Sequence, residues 1–161
     1  LVRFMTSYSG STGSHELKAG KYRMKLRFNH NIETVRRVTP LVRDHRATYD
    51  HSLNVLRYAH EHAYEGTYVK TGIMLGLGEK DDEVYQTMDD LIDAGVDFLS
   101  IGQYVQPSPK HYPLKEWVPV KRYQKYYNVA MDKGFKFVAS SPLVRSSYKA
   151  SAELAAVGVS R

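Results

Sequence analysis

No cysteine occurs anywhere in this sequence of 161 residues. That removes disulfides, thiolate-bound zinc and any cysteine-held iron–sulfur cluster from what the chain can build by itself. Long apolar runs are missing as well. None approaches the roughly 18 residues that cross a bilayer, so the expectation is no membrane association. The stretch Leu1–Arg27 has neither the apolar core nor the cleavage site of a secretory signal, which points to the cytoplasm for a bacterial source. Nucleophile elbow, phosphate-binding loop and dinucleotide fingerprint are all absent. The seven histidines, His15, His30, His45, His51, His60, His62 and His111, form no HExxH or comparable ligand group. His60 and His62 are two apart on an expected helix and cannot share a face. Most of the seven read as surface residues.

What remains is ordinary material for one globular domain: 42% hydrophobic and 25% charged residues. The net charge is +6, which favours acidic partner surfaces without specifying a fold. Lys and Arg are scattered, with short pairs such as Arg36-Arg37 and Lys121-Arg122 and no polybasic run. A basic, tyrosine-rich stretch from Lys121 to Tyr127 raises nucleic-acid binding, but tyrosines at that spacing fit a core face better, so no nucleic-acid partner is expected.

Residues 1–23 are turn-rich and without period, and are expected to be irregular. From Met24 the apolar residues Met24, Leu26 and Phe28 alternate with polar ones, which predicts a strand. Thr48 caps a helix with Tyr49, Leu53, Leu56, Ala59 and Ala63 on one face. Thr67–Leu75 is a second strand. Asp81 and Asp82 open a helix with face Val84, Met88, Leu91 and Ile92, stopped at Gly95, and its acidic first turn suits the helix dipole. Val96–Tyr104 is a third strand, followed by a proline-bearing loop at Gln106–Lys110. A helix from Pro119 carries Tyr123, Tyr127 and Ala130 to Gly134, and Phe135–Ala139 is a last strand. This alternation predicts an α/β fold of parallel strands and right-handed crossovers, a partial TIM-type (β/α) barrel amounting to about half.

Three strand ends carry polar or glycine residues. Asn31 and Glu33 lie beyond the first, two apart, and face the same way if the backbone is extended. Gly72, Met74, Gly76 and Glu79 lie along the second, where glycines let backbone approach a ligand near a helix start. Gln103 ends the third. Any one such end is a turn or a cap. Three on one rim mark a ligand site, since the mouth of a (β/α) barrel lies at the carboxyl ends of its strands.

Taken together, FNHNIETV (28–35), VKTGIMLGLGE (69–79), IGQYVQP (101–107) and PLVRSSYKA (142–150) resemble lipoyl synthase of the radical SAM family, in its order and spacing over about Phe28 to Ala152. The resemblance implies a radical S-adenosylmethionine (SAM) sulfurtransferase built on a (β/α)6 barrel, of which residues 24–152 would be the C-terminal half and 153–161 a tail. It implies two 4Fe-4S clusters. One cleaves SAM to a radical that takes hydrogen from C6 and C8 of a protein-bound octanoyl chain, and the other is consumed as sulfur donor. Asn31 and Glu33 match positions that hold the ribose and amino-acid parts of SAM. Gly72, Met74, Gly76 and Glu79 match the glycine motif by the adenine, with Lys70 turned to the cavity and Gln103 on the rim. Ser147 matches the serine that ligates the second cluster, and Arg145 beside it matches the residue that gates that ligand. Implied partners are octanoylated carriers, namely 2-oxoacid dehydrogenase E2 domains and the glycine cleavage H protein. A eukaryotic source would imply mitochondria or plastids.

The chain departs from the family in lacking both cysteine triads, and residues 1–27 do not resemble its earlier strands. A fragment that is inactive alone is therefore expected. The alternative is a non-catalytic half-barrel that docks lipoyl carriers.

Overall fold

A computed structural model describes residues 27–64 and 66–145. The expected boundaries at residues 23 and 152, and Met24 and Leu26 of the first strand, lie outside them. The elements are β1 (Arg27–Asn29), α1 (Thr39–Val42), α2 (Tyr49–His62), β2 (Tyr68–Leu75), α3 (Asp81–Asp93), β3 (Phe98–Gln103), α4 (Val120–Lys133) and β4 (Phe137–Ser140). The strands form one parallel sheet in the order β1-β2-β3-β4. Each crossover carries a helix, as parallel neighbours require. This is the expected α/β architecture, consistent with part of a TIM-type barrel.

Local chemistry sets the helix ends. The Thr48 hydroxyl accepts from the His51 N–H at 3.1 Å, capping α2. In α3 the Glu83 carboxylate accepts the Lys80 N–H at 2.8 Å, and Asp81, Asp82 and Glu83 occupy the positive end of its dipole. One stripe of each helix faces the sheet: Leu53 and Leu56 from α2, Val84, Met88 and Leu91 from α3, Tyr123, Tyr126 and Ala130 from α4. They close on Val69, Ile73, Leu75, Leu99, Ile101 and Val138 of the strands.

The opposite face of the sheet differs in kind. Partners in register share a face, so Asn29, Lys70, Phe98 and Phe137 form one row, Gly72, Ser100 and Ala139 the next, and Met74 and Gly102 the last. Large rings lie at the base, where Phe98 stacks with Tyr68 and meets Phe137 edge-on. Towards the carboxyl ends the row becomes small. That taper leaves room at the rim.

The base is tied together by Asp97. Its Oδ2 accepts the Val69 N–H at 2.8 Å, its Oδ1 pairs with Lys136 at 2.6 Å, and its carbonyl accepts the Lys136 N–H at 2.8 Å. At the other end of the helices Asp81 accepts from the Tyr126 hydroxyl at 2.6 Å and pairs with Lys125 and Arg122, fastening α3 to α4.

Four expectations need correction. The buried tyrosine after Tyr123 is Tyr126, fully enclosed, whereas Tyr127 is 37% exposed. Both fit helical spacing, and the bond to Asp81 selects Tyr126. Val96 and Phe135 are not strand residues, because their N–H groups bond back to Leu91 and Ala130 in the closing turns of α3 and α4. Thr67 likewise belongs to a turn, its N–H bonded to Tyr64. The stretch between the first strand and the Thr48 cap, to which the sequence reading gives no element, contains α1, with proline in its first turn.

Candidate functional site

Beyond Asn29 the chain keeps contact with β2 through an irregular path. The His30 N–H bonds the Lys70 carbonyl at 3.1 Å, and the Glu33 N–H bonds the Gly72 carbonyl at 3.0 Å. The Glu33 carbonyl then receives the Met74 N–H at 2.8 Å. Thr71 locks the bend from below: its hydroxyl donates to the His30 carbonyl at 2.8 Å and accepts the Ile32 N–H at 3.0 Å. Arg43 donates to the Ile32 carbonyl at 3.3 Å and to Ser52 Oγ at 2.7 Å. Glu33 sits at φ 72°, in the left-handed region that a side chain seldom adopts. Such strain persists only where the surroundings impose it, and it gathers at functional sites.

The backbone is not extended here, with Glu33 at φ 72°, so the sequence's reason for aligning Asn31 and Glu33 does not apply; their side chains interact by a hydrogen bond. Burial raises the Glu33 carboxyl above its ordinary range, and the Asn31 bond and Arg43 only partly offset it. Asn31 Oδ1 is sealed from solvent with no hydrogen-bond partner, as are His30 Nε2 and Thr34 Oγ1. Burial, then the charge of Arg43, lowers the His30 pKa. Unlike the exposed His45, His51, His60, His62 and His111, His30 is half-buried, which the surface reading of the histidines did not anticipate.

The end of β2 is built in the opposite way. The Glu79 carboxylate accepts the Gly76 N–H at 2.6 Å and the Leu77 N–H at 2.9 Å. Gly76 has φ 96°, and a Cβ there would lie 2.5 Å from the Glu116 carbonyl and collide with the Gln103 amide. Gln103 is the hub. Its Nε2 donates to the carbonyls of Leu75, Tyr104 and Glu116, and its Oε1 accepts from the Val118 N–H and the Tyr123 hydroxyl, all at 3.0–3.1 Å. Burial pushes the Tyr123 hydroxyl up to about 12, so it stays protonated and donating. Glu79 and Gln103 thus reach the rim already hydrogen-bonded to the chain itself, Glu79 to backbone and Gln103 to backbone and the Tyr123 hydroxyl.

On the open face, a Cβ at Gly72 would stand 3.2 Å from Asn31 Oδ1. Gly72 and Asn31 therefore face one another across the first two strands. Lys70, one step below Gly72 on the same face, is 1% exposed, and a cation so buried needs partners. Met74, nearest the rim, is half-buried opposite Gly102. Beyond β4 the chain crosses β3: a Cβ at Gly102 would collide with the Val144 carbonyl, and the Arg145 guanidinium lies over the same glycine, bonded to the carbonyls of Pro142 and Val144 at 3.3 and 2.8 Å. Ser147 lies outside the described residues. Sequence reasoning missed Thr71 and Arg43, which hold the β1 bend. For Thr71 the available signal was a hydroxyl where the strand alternation calls for an apolar side chain.

The donor set here suits a polar organic ligand. The unpartnered carbonyl-type oxygen of Asn31, the acidic Glu33 and the bare backbone at Gly72 match hydroxyl, amine and a flat ring edge. It does not suit an iron–sulfur cluster, because the sequence has no cysteine and no three His, Asp or Glu converge among the described residues.

The profile of the Radical SAM superfamily matches residues 15–102, beginning ahead of the motifs that start at Phe28. Curated relatives include "Lipoyl synthase" of Pyrobaculum arsenaticum, 58% identical over 76% of this chain, and that of Picrophilus torridus, 55% identical over 75%. "Lipoyl synthase, mitochondrial" of Medicago truncatula is 50% identical over 76%. The chain spans 42%, 42% and 32% of the lengths of these three proteins. The chain belongs to the radical SAM superfamily and is similar, within it, to lipoyl synthases.

Proposed function

We propose that this chain supplies the SAM-holding side of a lipoyl synthase, the enzyme that inserts sulfur at C6 and C8 of a protein-bound octanoyl chain. The observation that carries the reading is Asn31 Oδ1, buried and unpartnered opposite the bare backbone of Gly72. A buried acceptor without a donor costs about 1–3 kcal/mol, and a ligand hydroxyl or amine would recover it. Asn31 and Glu33 would take the ribose and amino-acid parts of SAM, with Lys70 below them, while Gly72, Met74 and Gly76 would line the adenine side. Glu79 and Gln103 would act one step back, holding the glycine loop in shape. Arg145 and Ser147 would belong to the sulfur-donor side.

When bound, and given an electron by a cluster held elsewhere, SAM would supply the radical that takes hydrogen from the octanoyl C–H bonds. The family resemblance supports two 4Fe-4S clusters in the whole enzyme; the sequence has no cysteine, so apart from the Ser147 proposed for the second cluster their ligands would come from elsewhere. The chain alone is expected to turn over nothing. Octanoylated E2 domains and H protein are the proposed substrates. The plant relatives are named mitochondrial, and no helix among the described residues is long and apolar enough to cross a membrane; cytoplasm in a bacterium or archaeon and mitochondrion or plastid in a eukaryote are the proposed locations. A purely non-catalytic docking module is not favoured, since the relatives are synthases.

Calorimetry with SAM and with S-adenosylhomocysteine tests this reading. The 161-residue chain should bind both, and Asn31→Ala and Gly72→Val should each weaken binding at least about tenfold, the loss expected for one charge-free hydrogen bond. Equal binding by wild type and both variants, or none by wild type, would remove the assignment.

A further inference from the structure

We infer that the loop joining β3 to α4 presents Trp117 as the anchor of a docking surface for an acidic, acyl-bearing carrier domain. The inference rests on the function proposed above and names where that substrate lands.

The loop runs from residue 104 to 119 without helix or strand. Connections of that length in a compact domain are seldom idle. This one is held rigid by its own bonds: the Tyr104 hydroxyl to the Tyr112 carbonyl at 2.7 Å, and Gln106 Nε2 to the carbonyls of Ser108 and His111 at 3.0 Å each. It starts at the carboxyl end of β3, on the rim that holds Asn31, Gly76 and Arg145. An acyl chain presented there would have the shortest path to the site.

Trp117 is 68% exposed, with Val105 at 50% and Val120 at 69% on the same loop and its junction with α4. Its backbone is nevertheless fixed. The residues on either side are both gripped by one buried amide, Glu116 through its carbonyl to Gln103 Nε2 and Val118 through its N–H to Gln103 Oε1. An aromatic ring in water on an immobilised backbone loses little freedom when covered, which is how interface anchors gain affinity. Exposed rings elsewhere are placed differently: Tyr58 stacks on His62 at 3.9 Å, and Tyr64 lies just ahead of β2, at the base of the sheet.

Charge decides the kind of partner. Lys110 and Lys115 are exposed on the same loop, and Lys121 is exposed in the first turn of α4. The loop's carboxylate, Glu116, is neutralised by Arg122 in a two-pronged pair at 2.8 and 2.9 Å. The segment thus carries an exposed indole on a fixed backbone and three exposed cations, complementary to an acidic patch with an apolar centre.

The sequence contains a single tryptophan, so indole emission reports this position alone. The chain is titrated with an octanoylated carrier domain that has an acidic surface and no tryptophan. Emission should shift to the blue and saturate, and binding should weaken steadily with added salt. Trp117→Ala should weaken binding about thirtyfold by calorimetry, the scale of an interface anchor. Lys110→Glu with Lys115→Glu and Lys121→Glu should abolish the salt dependence, and Tyr64→Ala should change nothing. Carrier binding with unmoved emission and full affinity in Trp117→Ala would overturn the docking surface while leaving the SAM assignment standing. No carrier binding at all would overturn it too. A saturable blue shift with the chain's own concentration, matched by a dimer in sedimentation, would assign the face to a second copy instead. An equal response to a single-stranded oligonucleotide but not to the carrier would assign it to nucleic acid. Failure to bind SAM with Trp117 still docking the carrier would sink the functional reading and keep this one.

Discussion

The ends of β1 and β2 lie side by side on one rim and are built on opposite terms. After β2, Glu79 and Gln103 satisfy the loop's polar groups down to individual N–H and carbonyl groups. After β1, three side-chain atoms are buried without partners and one residue is held in a left-handed conformation. Buried polar groups in folded chains are mostly paired, so unmet ones a few residues from a completed network call for an explanation. On the proposed function the difference is that between a frame and a receptor: the second strand end would hold shape, and the first would keep binding capacity in reserve.

The largest effect should come from attacking the frame. Gly76→Val must displace the Glu116 carbonyl and the Gln103 amide from a backbone at φ 96°, at a cost of about 3–5 kcal/mol by urea unfolding. A loss under about 1 kcal/mol would mean the β2 end is not rigid and the contrast is false. Asp81→Asn, at the helix start that follows the glycine loop, should cost about 1–2 kcal/mol by weakening its bonds to Tyr126, Lys125 and Arg122, a figure already reduced for its partial exposure. Those same partners hold the Asp81 pKa below its ordinary value of 3.8, its bond with Tyr126 first. Its contribution is therefore present above that value and fades as pH falls through the lower folded pKa.

The receptor end should respond in the other direction. Because burial raises the Glu33 pKa in the folded chain, the folded state holds that proton more tightly than the unfolded one. The resulting stabilisation is complete below the ordinary value of 4.5 and is lost as pH rises through the folded pKa. Glu33→Gln should then raise stability near neutral pH by about 0.5–1 kcal/mol, with the advantage vanishing in acid. Thermal melts of both proteins from pH 4 to 8 would read this, and a constant gap across that range would rule out a titrating Glu33. The smallest change should be Asn31→Ala without ligand, within about 0.5 kcal/mol of wild type because it removes an unmet acceptor along with one bond. With SAM present the order reverses, and Asn31→Ala should then show the smaller thermal shift.

Much of this was legible in the sequence, for identifiable reasons. The Thr48 cap and the acid-rich start of α3 mark their helices with local chemistry that nothing downstream overrides. The glycines after β2 and the polar residues after β1 signal a rim, and the chain places both there. What was lost is what depends on distant partners. Tyr126 and Tyr127 are equivalent by periodicity until Asp81, 45 residues earlier, takes the hydroxyl of one. Strand limits at Val96 and Phe135 are settled by helix-closing bonds that composition does not encode. Gln103 reads as a ligand contact from its place at a strand end, and its bonds to Leu75, Glu116 and Val118 join it to segments that the local sequence does not point to.

Asp97 has a consequence at the far end of the molecule. By gripping Val69 near the start of β2 and Lys136 just ahead of β4, it fixes their alignment at the foot of the sheet, independently of the loops above. Sequence changes at the mouth can then alter what is recognised without shifting which residue of one strand lies beside which residue of the next. A fold pinned at its foot can acquire a new ligand one loop at a time.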